Sequence, residues 1–311
     1  MSFTGRAVMF YNDLNSYLKN KYDTKVYKLS LDGGLTCPNR DGTVGRLGCI
    51  FCSDTGSGEF AEKPCGDIAE QLHRAKLRVA AKNKGGKYIA YFQSFTNTYG
   101  DIKYLERIYR EAIAPDYIVG LSIATRPDCL GDEVISLLRD INKIKPVSVE
   151  LGLQTIHEKT AEYIRRGYKT DVFDDAVRRL KSVNIETVAH LILGLPGETE
   201  DMMLQSARHI GKLGVSGAKF HLLYIIRGTD LEKDYKSGLF DALSLEKYVD
   251  ILEKCIQALP ENVVIHRLTG DGAKRDLVAP LWSADKKKVL NYIKKRFEND
   301  CLIQGSEYKG D

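Results

Sequence analysis

The chain lacks any run of about 18 apolar residues free of charge, which excludes a helix of transmembrane length. Its N-terminus, "MSFTGRAVMFYNDLNSYLKNKY", lacks the apolar stretch and small-residue cleavage pattern of a secretory signal. Internal repeats and low-complexity tracts are absent as well. A disulfide framework is also missing: the seven cysteines are an odd number, and four of them, Cys65, Cys129, Cys255 and Cys301, stand singly in helical or loop contexts. These absences lead to the expectation of a soluble, cytoplasmic protein with no membrane partner. Charge of one sign is scarce overall, with a net +4, but it is uneven. Residues 285–296, "DKKKVLNYIKKR", carry six bases against one acid, which suits either a solvated helix face or a patch that meets phosphates.

What is present is an ordinary globular balance, 43% hydrophobic and 28% charged over 311 residues, enough for one large barrel or α/β sheet with extensions. Short apolar runs at 26–31, 87–93, 117–124, 147–154, 187–195 and 217–226 alternate with helical periods. Those periods are Ile68, Leu72, Ala75, Val79; Ile102, Leu105, Ile108, Ala112; Val134, Leu137, Leu138, Ile141; Val172, Ala176, Leu180, Val183; and Met203, Ala207, Ile210. Six strands joined by five helices imply a parallel sheet with right-handed crossovers. A sheet covered on both faces is apolar throughout, yet Gln93, Ser122, Glu150 with Gln154, His190, and Lys219 with His221 interrupt five of these runs. Polar residues on five strands of one sheet are explained if they line the lumen of a barrel. Residues 1–24 read as a helical lead-in, 25–240 as the barrel, and 241–311 as an α/β extension or substrate cap. That extension comprises a helical 244–259, a strand-like 263–270 and a helical 283–298.

The loop after the first strand, "LTCPNRDGTVGRLGCIFCSDTGSGEF", carries Cys37, Cys49 and Cys52 where barrel active sites are built. A structural zinc site needs four closed ligands, and Cys65 is the available fourth. A [4Fe–4S] cluster on three thiolates instead leaves one iron open to a substrate or cofactor.

The spacing resembles the radical S-adenosylmethionine (SAM) superfamily, whose usual motif is Cys-x3-Cys-x2-Cys with an aromatic before the last cysteine. Here Cys49-Ile-Phe51-Cys52 fits, while eleven residues separate Cys37 from Cys49, as in the wider gap of the Elongator catalytic subunit and its relatives. "ATRPD" (124–128), "VELGLQT" (149–155), "LILGLPGET" (191–199) and "IIRGTDL" (225–231) resemble that group's motifs in the same order. "CPNRDG" (37–42), "YFQSFTNTY" (91–99) and "APLWS" (279–283) are similar to its small stand-alone bacterial members. The resemblance covers nearly the whole chain and implies an α/β fold, a partial (βα)6 TIM-type barrel.

It also implies site roles. Cys37, Cys49 and Cys52 would ligate the cluster, with the open iron reserved for the amino and carboxylate groups of SAM. Phe51 would pack near the adenine, or simply fill the loop core. Gln93, in "QSFTN", sits where many relatives carry a Gly-Gly-Glu stretch that contacts the methionine amine. Gln154 matches a ribose-contacting glutamine, and Arg166 an arginine that pairs with the methionine carboxylate. Relatives often carry Glu where this chain has Ala124, so Glu150 is the nearest residue to compensate. Gly194 and Gly197 would admit the adenine closely, or are plain turn glycines. Arg126, His190, Lys219, His221 and Arg227 remain for substrate or SAM.

The activity implied is reductive cleavage of SAM to methionine and a 5′-deoxyadenosyl radical that abstracts hydrogen from a C–H bond, with an electron donor such as flavodoxin or ferredoxin. A methylthiotransferase would need further cysteines before Cys37, and an Elongator acetyltransferase domain would need more chain after the barrel. Relatives of the stand-alone type imply tRNA as partner and remodelling of the C5 side chain of wobble uridine to an aminomethyl-type group. The basic helix would meet phosphates, and aromatics in "TNTYGDIKY" (96–104) would stack on a flipped-out base. Two alternatives stand beside this reading. One is radical chemistry on a small metabolite or porphyrin-like substrate; the other is a zinc-stabilised nucleic-acid-binding module. The oligomeric state is left open, with a monomer favoured.

Overall fold

Period-2 runs of Val, Ile, Leu and Tyr form the strands, and the computed structural model describes residues 10–53, 56, 67–83, 86–270 and 274–310. In chain order the strands are β1 (Val26–Leu31), β2 (Lys87–Phe92), β3 (Ile118–Thr125), β4 (Val147–Gln154), β5 (Glu186–Leu193), β6 (Gly217–Leu222), β7 (Ile225–Ile226), β8 (Val264–Arg267) and β9 (Leu277–Ala279). Seven of them form one sheet in the order β1-β2-β3-β4-β5-β6-β8, parallel at every pairing. The sheet curls into a half-barrel, because inward side chains of β1 and β6 both reach the same residue of β4, as described below.

The helices are α1 (Leu14–Tyr22), α2 (Pro38–Asp41), α3 (Ile68–Val79), α4 (Ile102–Ile113), α5 (Asp132–Asn142), α6 (Glu158–Tyr163), α7 (Thr170–Ser182), α8 (Glu200–Leu213), α9 (Asp230–Lys236), α10 (Leu245–Gln257) and α11 (Lys286–Asn299). The larger crossover helices bury one apolar stripe against the outer face of the sheet, for example Leu105, Ile108 and Ala112 of α4. Their starts are set by side chains that accept first-turn N–H groups: Asp67 before α3, Asp101 before α4 and Thr199 before α8.

Three features go beyond the sequence pattern. The last apolar run divides: β6 stops at Leu222, and Ile225–Ile226 pairs antiparallel with β9. A short α6 intervenes between β4 and α7. The strand of the extension, β8, does not pack on the barrel but joins its sheet beside β6.

The lead-in helix closes the bottom of the half-barrel. Asp13 caps α1 by accepting from the Asn15 and Ser16 amides, and Asn12 accepts from the Ile265 amide of β8 at 2.7 Å. Leu18 packs with Val26 and Ile89 near the starts of β1 and β2. The Tyr17 hydroxyl and Lys21 both reach Glu186, the first residue of β5, at 2.8 Å, and the Tyr22 hydroxyl donates to the Val119 carbonyl of β3. At the other flank α11 buries Val289, Ile293 and Phe297, turning its lysines outward, and Arg296 pairs with Asp250 and Asp300.

Leu18→Ala is expected to destabilise the fold by about 2–5 kcal/mol through lost burial plus a cavity at the barrel floor. Urea unfolding measures this, and an unchanged midpoint would mean that α1 does not seal the barrel.

Candidate active site

The cysteine loop begins where β1 ends. Cys37 is extended and starts α2, its carbonyl accepting from the Arg40 and Asp41 amides at 2.8 and 3.2 Å. The long gap before Cys49 is folded back onto α2 by Val44 N–H to the Pro38 carbonyl and Gly48 N–H to the Asn39 carbonyl, both 2.8 Å. Gly42 and Gly48 make these reversals at φ +99° and +70°, which favour glycine. Cys49 and Cys52 close a turn, with Cys52 N–H donating to the Cys49 carbonyl at 3.0 Å.

This loop is tied to the segment after α6. The Asn39 amide donates to the Arg165 carbonyl at 2.6 Å, and Ile50 N–H donates to the Ile164 carbonyl at 3.3 Å. Arg40 donates to the Ser53 carbonyl at 2.5 Å, its guanidinium 5.6 Å from the Phe95 ring centroid. Cys37, Cys49 and Cys52 are all free thiols and line a single cavity of about 430 Å³. Cys49 is held down to about 7 by a hydrogen bond from the Cys52 thiol and by Arg126 and Arg40, while the same contact pushes Cys52 up. The pair therefore takes its first negative charge on Cys49 more easily than a free thiol would, in the direction that metal binding requires.

Among the described residues no group of three or more His, Cys, Asp and Glu side chains could hold a metal ion. Cys65, weighed as a fourth zinc ligand, lies outside the described residues. Three thiols on one loop, two in contact and with cations nearby, fit a cluster three of whose four irons each take one thiolate.

The rim opposite the loop is built at the end of β4. Gln154 adopts φ +65°, rare for a residue with a side chain, and the β4–β5 register shifts there. Arg166 is 1% exposed. Its Nη1 donates to the Leu153 and Thr155 carbonyls at 3.0 and 2.5 Å, its Nε to the Tyr168 carbonyl at 2.9 Å, and its Nη2 to Thr170 at 3.2 Å, with Glu158 at 3.5 Å. Four hydrogen bonds and the Glu158 ion pair thus commit this guanidinium to protein acceptors. Arg126 forks onto Asp128 at 2.9 and 2.7 Å and also donates to the Arg166 carbonyl at 2.9 Å.

Deeper in the lumen Glu150 is completely buried. Lys28 reaches it at 2.5 Å, Tyr91 at 2.7 Å, His190 at 3.0 Å and Ser122 at 3.1 Å, and Lys219 also bonds it. The two ammonium groups hold Glu150 well below the usual carboxylate range against the opposing effect of burial. Burial, with Lys28 and Arg267 close by, pushes Lys219 down to about 7, and burial pushes His190 down to about 4.

Of the residues expected from the sequence, Cys37, Cys49, Cys52, Phe51, Gln93, Arg126, Glu150, Gln154, Arg166, His190, Lys219 and His221 all line this cavity. Gly194, Gly197 and Arg227 do not. Gly194 sits at φ +91° where a Cβ would meet Leu243 at 2.9 Å, and Arg227 is exposed, its amide donating to the Asp276 carbonyl. The aromatics of 96–104 are elsewhere too: the Tyr104 hydroxyl donates to the Gly33 carbonyl, and Tyr99 meets Thr43 behind the cysteine loop. Sequence reasoning missed Ser30, Tyr91, Tyr168 and Arg267 of the lining, and Lys28, which reaches Glu150 from β1. Lys28 and Ser30 alternate on β1 in "VYKLSL", the same signal that marked the other strands. A tyrosine within an apolar run carries no such mark.

A parallel half-barrel whose lumen opens onto a three-cysteine loop is the architecture of enzymes that use an iron–sulfur cluster with SAM. The Radical SAM superfamily model matches residues 41–210 and the Radical_SAM C-terminal domain model residues 215–299, and the chain belongs to the radical SAM superfamily. Enzymes of this superfamily use a [4Fe–4S] cluster and SAM. The protein YtqA of Bacillus subtilis (strain 168) is 42% identical over 299 residues, 96% of this chain and 93% of that protein. A tRNA uridine(34) acetyltransferase of Methanocaldococcus jannaschii is 28% identical over 156 residues, 49% of this chain and 28% of that protein. Among solved structures, the Elp3 of Methanocaldococcus infernus, with an N-terminal deletion, superposes with a TM-score of 0.69 at 17% identity, over 90% of this chain and 64% of that one. Among the described residues no helix is long and apolar enough to cross a membrane.

Two expectations follow for the buried network. Glu150→Ala, which strands Lys28 and Lys219, is expected to destabilise by about 3–5 kcal/mol in urea unfolding, and Glu150→Gln by less. Because His190 is depressed from 6.5 to about 4, the unfolded chain binds the extra proton between those values, so stability falls as pH falls through that window. Glu150, depressed below 4.5, adds a loss of the same sign as pH falls below 4.5. A urea midpoint no lower at pH 5 than at pH 7 would contradict the His190 assignment.

Proposed function

We propose that the protein holds its [4Fe–4S] cluster on Cys37, Cys49 and Cys52, binds SAM in the adjoining cavity, and remodels the C5 side chain of tRNA wobble uridine toward an aminomethyl-type group. The observation that carries the reading is that the three thiols and the polar lumen belong to one cavity. When bound, the cluster supplies the single electron that splits the sulfonium of SAM, yielding methionine and a 5′-deoxyadenosyl radical for hydrogen abstraction.

The chain's own residues bind, orient and exclude water. Asn39 and Arg40 hold the thiols on a fixed loop. Phe51, Ile192 and Leu223 form an apolar wall suited to the adenine, with Phe51 packed on the cluster that contains Ile50 and Leu223. Gln93 and Gln154 supply amide contacts for SAM at the mouth. Arg166, committed to protein acceptors, keeps the rim in shape around them. Similarity to a tRNA uridine(34) acetyltransferase supports a wobble-uridine substrate. So do Lys286, Lys287 and Lys288, where α11 begins just after β9, which can meet phosphates.

The test is anaerobic reconstitution with iron and sulfide, then dithionite and SAM, with 5′-deoxyadenosine quantified. Wild type is expected to form it and Cys49→Ala to fall to background. Nucleoside analysis of tRNA from a deletion strain is then expected to show an unremodelled wobble uridine. Unchanged tRNA alongside active SAM cleavage would overturn the tRNA substrate and leave the radical chemistry standing.

A further inference from the structure

The cysteine loop has a second side. Behind it lies a groove of about 410 Å³, close in size to the active cavity and sharing none of its lining residues. Pro38 and Val44 of the loop and Val134 of α5 give it apolar walls. The half-buried Tyr99 gives it an aromatic one, with its hydroxyl held by Thr43 at 2.8 Å. The two spaces share a thin partition: Cys37, Thr125 and Arg126 face the active cavity, whereas Pro38, Thr98 and Asp128 face the groove. Thr98 and Thr125 hydrogen bond across it at 2.6 Å, and Arg126 forks onto Asp128 at 2.9 and 2.7 Å. Among the described residues that line the groove Asp128 is the one charged group, and Arg126 balances it from the other side. No cationic side chain is there to meet a phosphate or carboxylate. A carboxylate accepts about four hydrogen bonds. Asp128 takes two from Arg126 and one, at 3.8 Å, from the Cys129 thiol, and its side chain is 21% exposed, which leaves room for a further N–H donor.

We propose that this groove holds a second base of the RNA strand, one bearing an exocyclic amino group, beside the uridine that reacts in the active cavity. The Tyr99 ring stacks on the base, and Asp128 accepts from its amino group, as an aspartate does from cytosine N4. Uracil presents an oxygen at that edge and sets one acceptor against another. Both spaces are lined by the segments that follow β1, β2 and β3, at the C-terminal ends of those strands. Neighbouring nucleotides of one strand can therefore lie on the two sides of the Arg126–Asp128 partition, each unstacked base in its own space. The inference rests on the proposed tRNA substrate and adds a recognition element beyond the reacting base.

Saturation-transfer NMR on the cluster-loaded protein reads the groove without turnover, with cytidine and uridine as probes, before and after saturation with SAM. Cytidine is expected to bind saturably in both conditions, and uridine more weakly by about fivefold or more. Tyr99→Leu is expected to weaken cytidine by about fivefold or more. Tyr99→Phe, which keeps the ring and loses the Thr43 contact, is expected to stay within about twofold of wild type, and Asp128→Asn to level the preference between the two nucleosides. Equal losses in Tyr99→Phe and Tyr99→Leu would overturn the proposal, because the Thr43 contact and not stacking would then matter. So would equal affinity of the wild type for both nucleosides, or displacement of cytidine by SAM, which would put the base in the active cavity. Filter binding of tRNA separates this inference from the reading beneath it. Tyr99→Leu is expected to weaken tRNA by about the same factor as cytidine, and unchanged retention would sink the groove while sparing the wobble-uridine substrate. Absence of tRNA retention by the wild type even at low salt would remove that substrate and the RNA occupant together.

Discussion

A carboxylate with no access to water must be met by donors from every direction that faces it, and Glu150 imposes this on the whole half-barrel. Lys28 comes from β1, Tyr91 from β2, Ser122 from β3, His190 from β5 and Lys219 from β6. A flat parallel sheet would keep β1 and β6 too far from β4 for both to touch one side chain. The curl of the sheet and the polarity of its lumen are therefore two aspects of one arrangement. Buried charge of this kind is weak support for stability in itself, since desolvation offsets much of the attraction. Its effect is to define which face of each strand is inside.

The cysteine loop depends on that frame at one remove. Its thiols project from a gapped, glycine-containing segment that has little core of its own. Asn39 and Ile50 tie it to the carbonyls of Arg165 and Ile164, and Arg40 closes it internally on the Ser53 carbonyl. Arg165 and Ile164 follow α6, whose exit is held by Arg166 reaching back to the end of β4. The rim is thus a chain of backbone-directed hydrogen bonds running from the fourth strand to the thiols. Arg166 both lines the cavity and holds this segment to the end of β4.

Much of this is legible in the sequence. The six runs lie within two residues of six observed strands at nearly every boundary, because parallel strands buried on their outer face keep a strong period. Twelve of the fifteen expected site residues share the cavity, because polar residues in apolar strands have few other places to go. Other features could not be read. β8 looked like part of a packed extension, since four residues of strand carry no information about which edge they join. Gly194 looked like a ligand cradle, yet its missing Cβ makes room for Leu243.

Local chemistry in the sequence determined the class: the thiol spacing, the alternation of strand and helix, and the polar intruders each follow from short-range pattern. Tertiary structure alone decided which of those polar groups are matched and which are not. Arg166 and Glu150 are matched, whereas His221 Nε2 has no partner among the described residues. The physical reason is that hydrogen-bond satisfaction depends on acceptors and donors brought together from distant strands, and no spacing along the chain encodes that count.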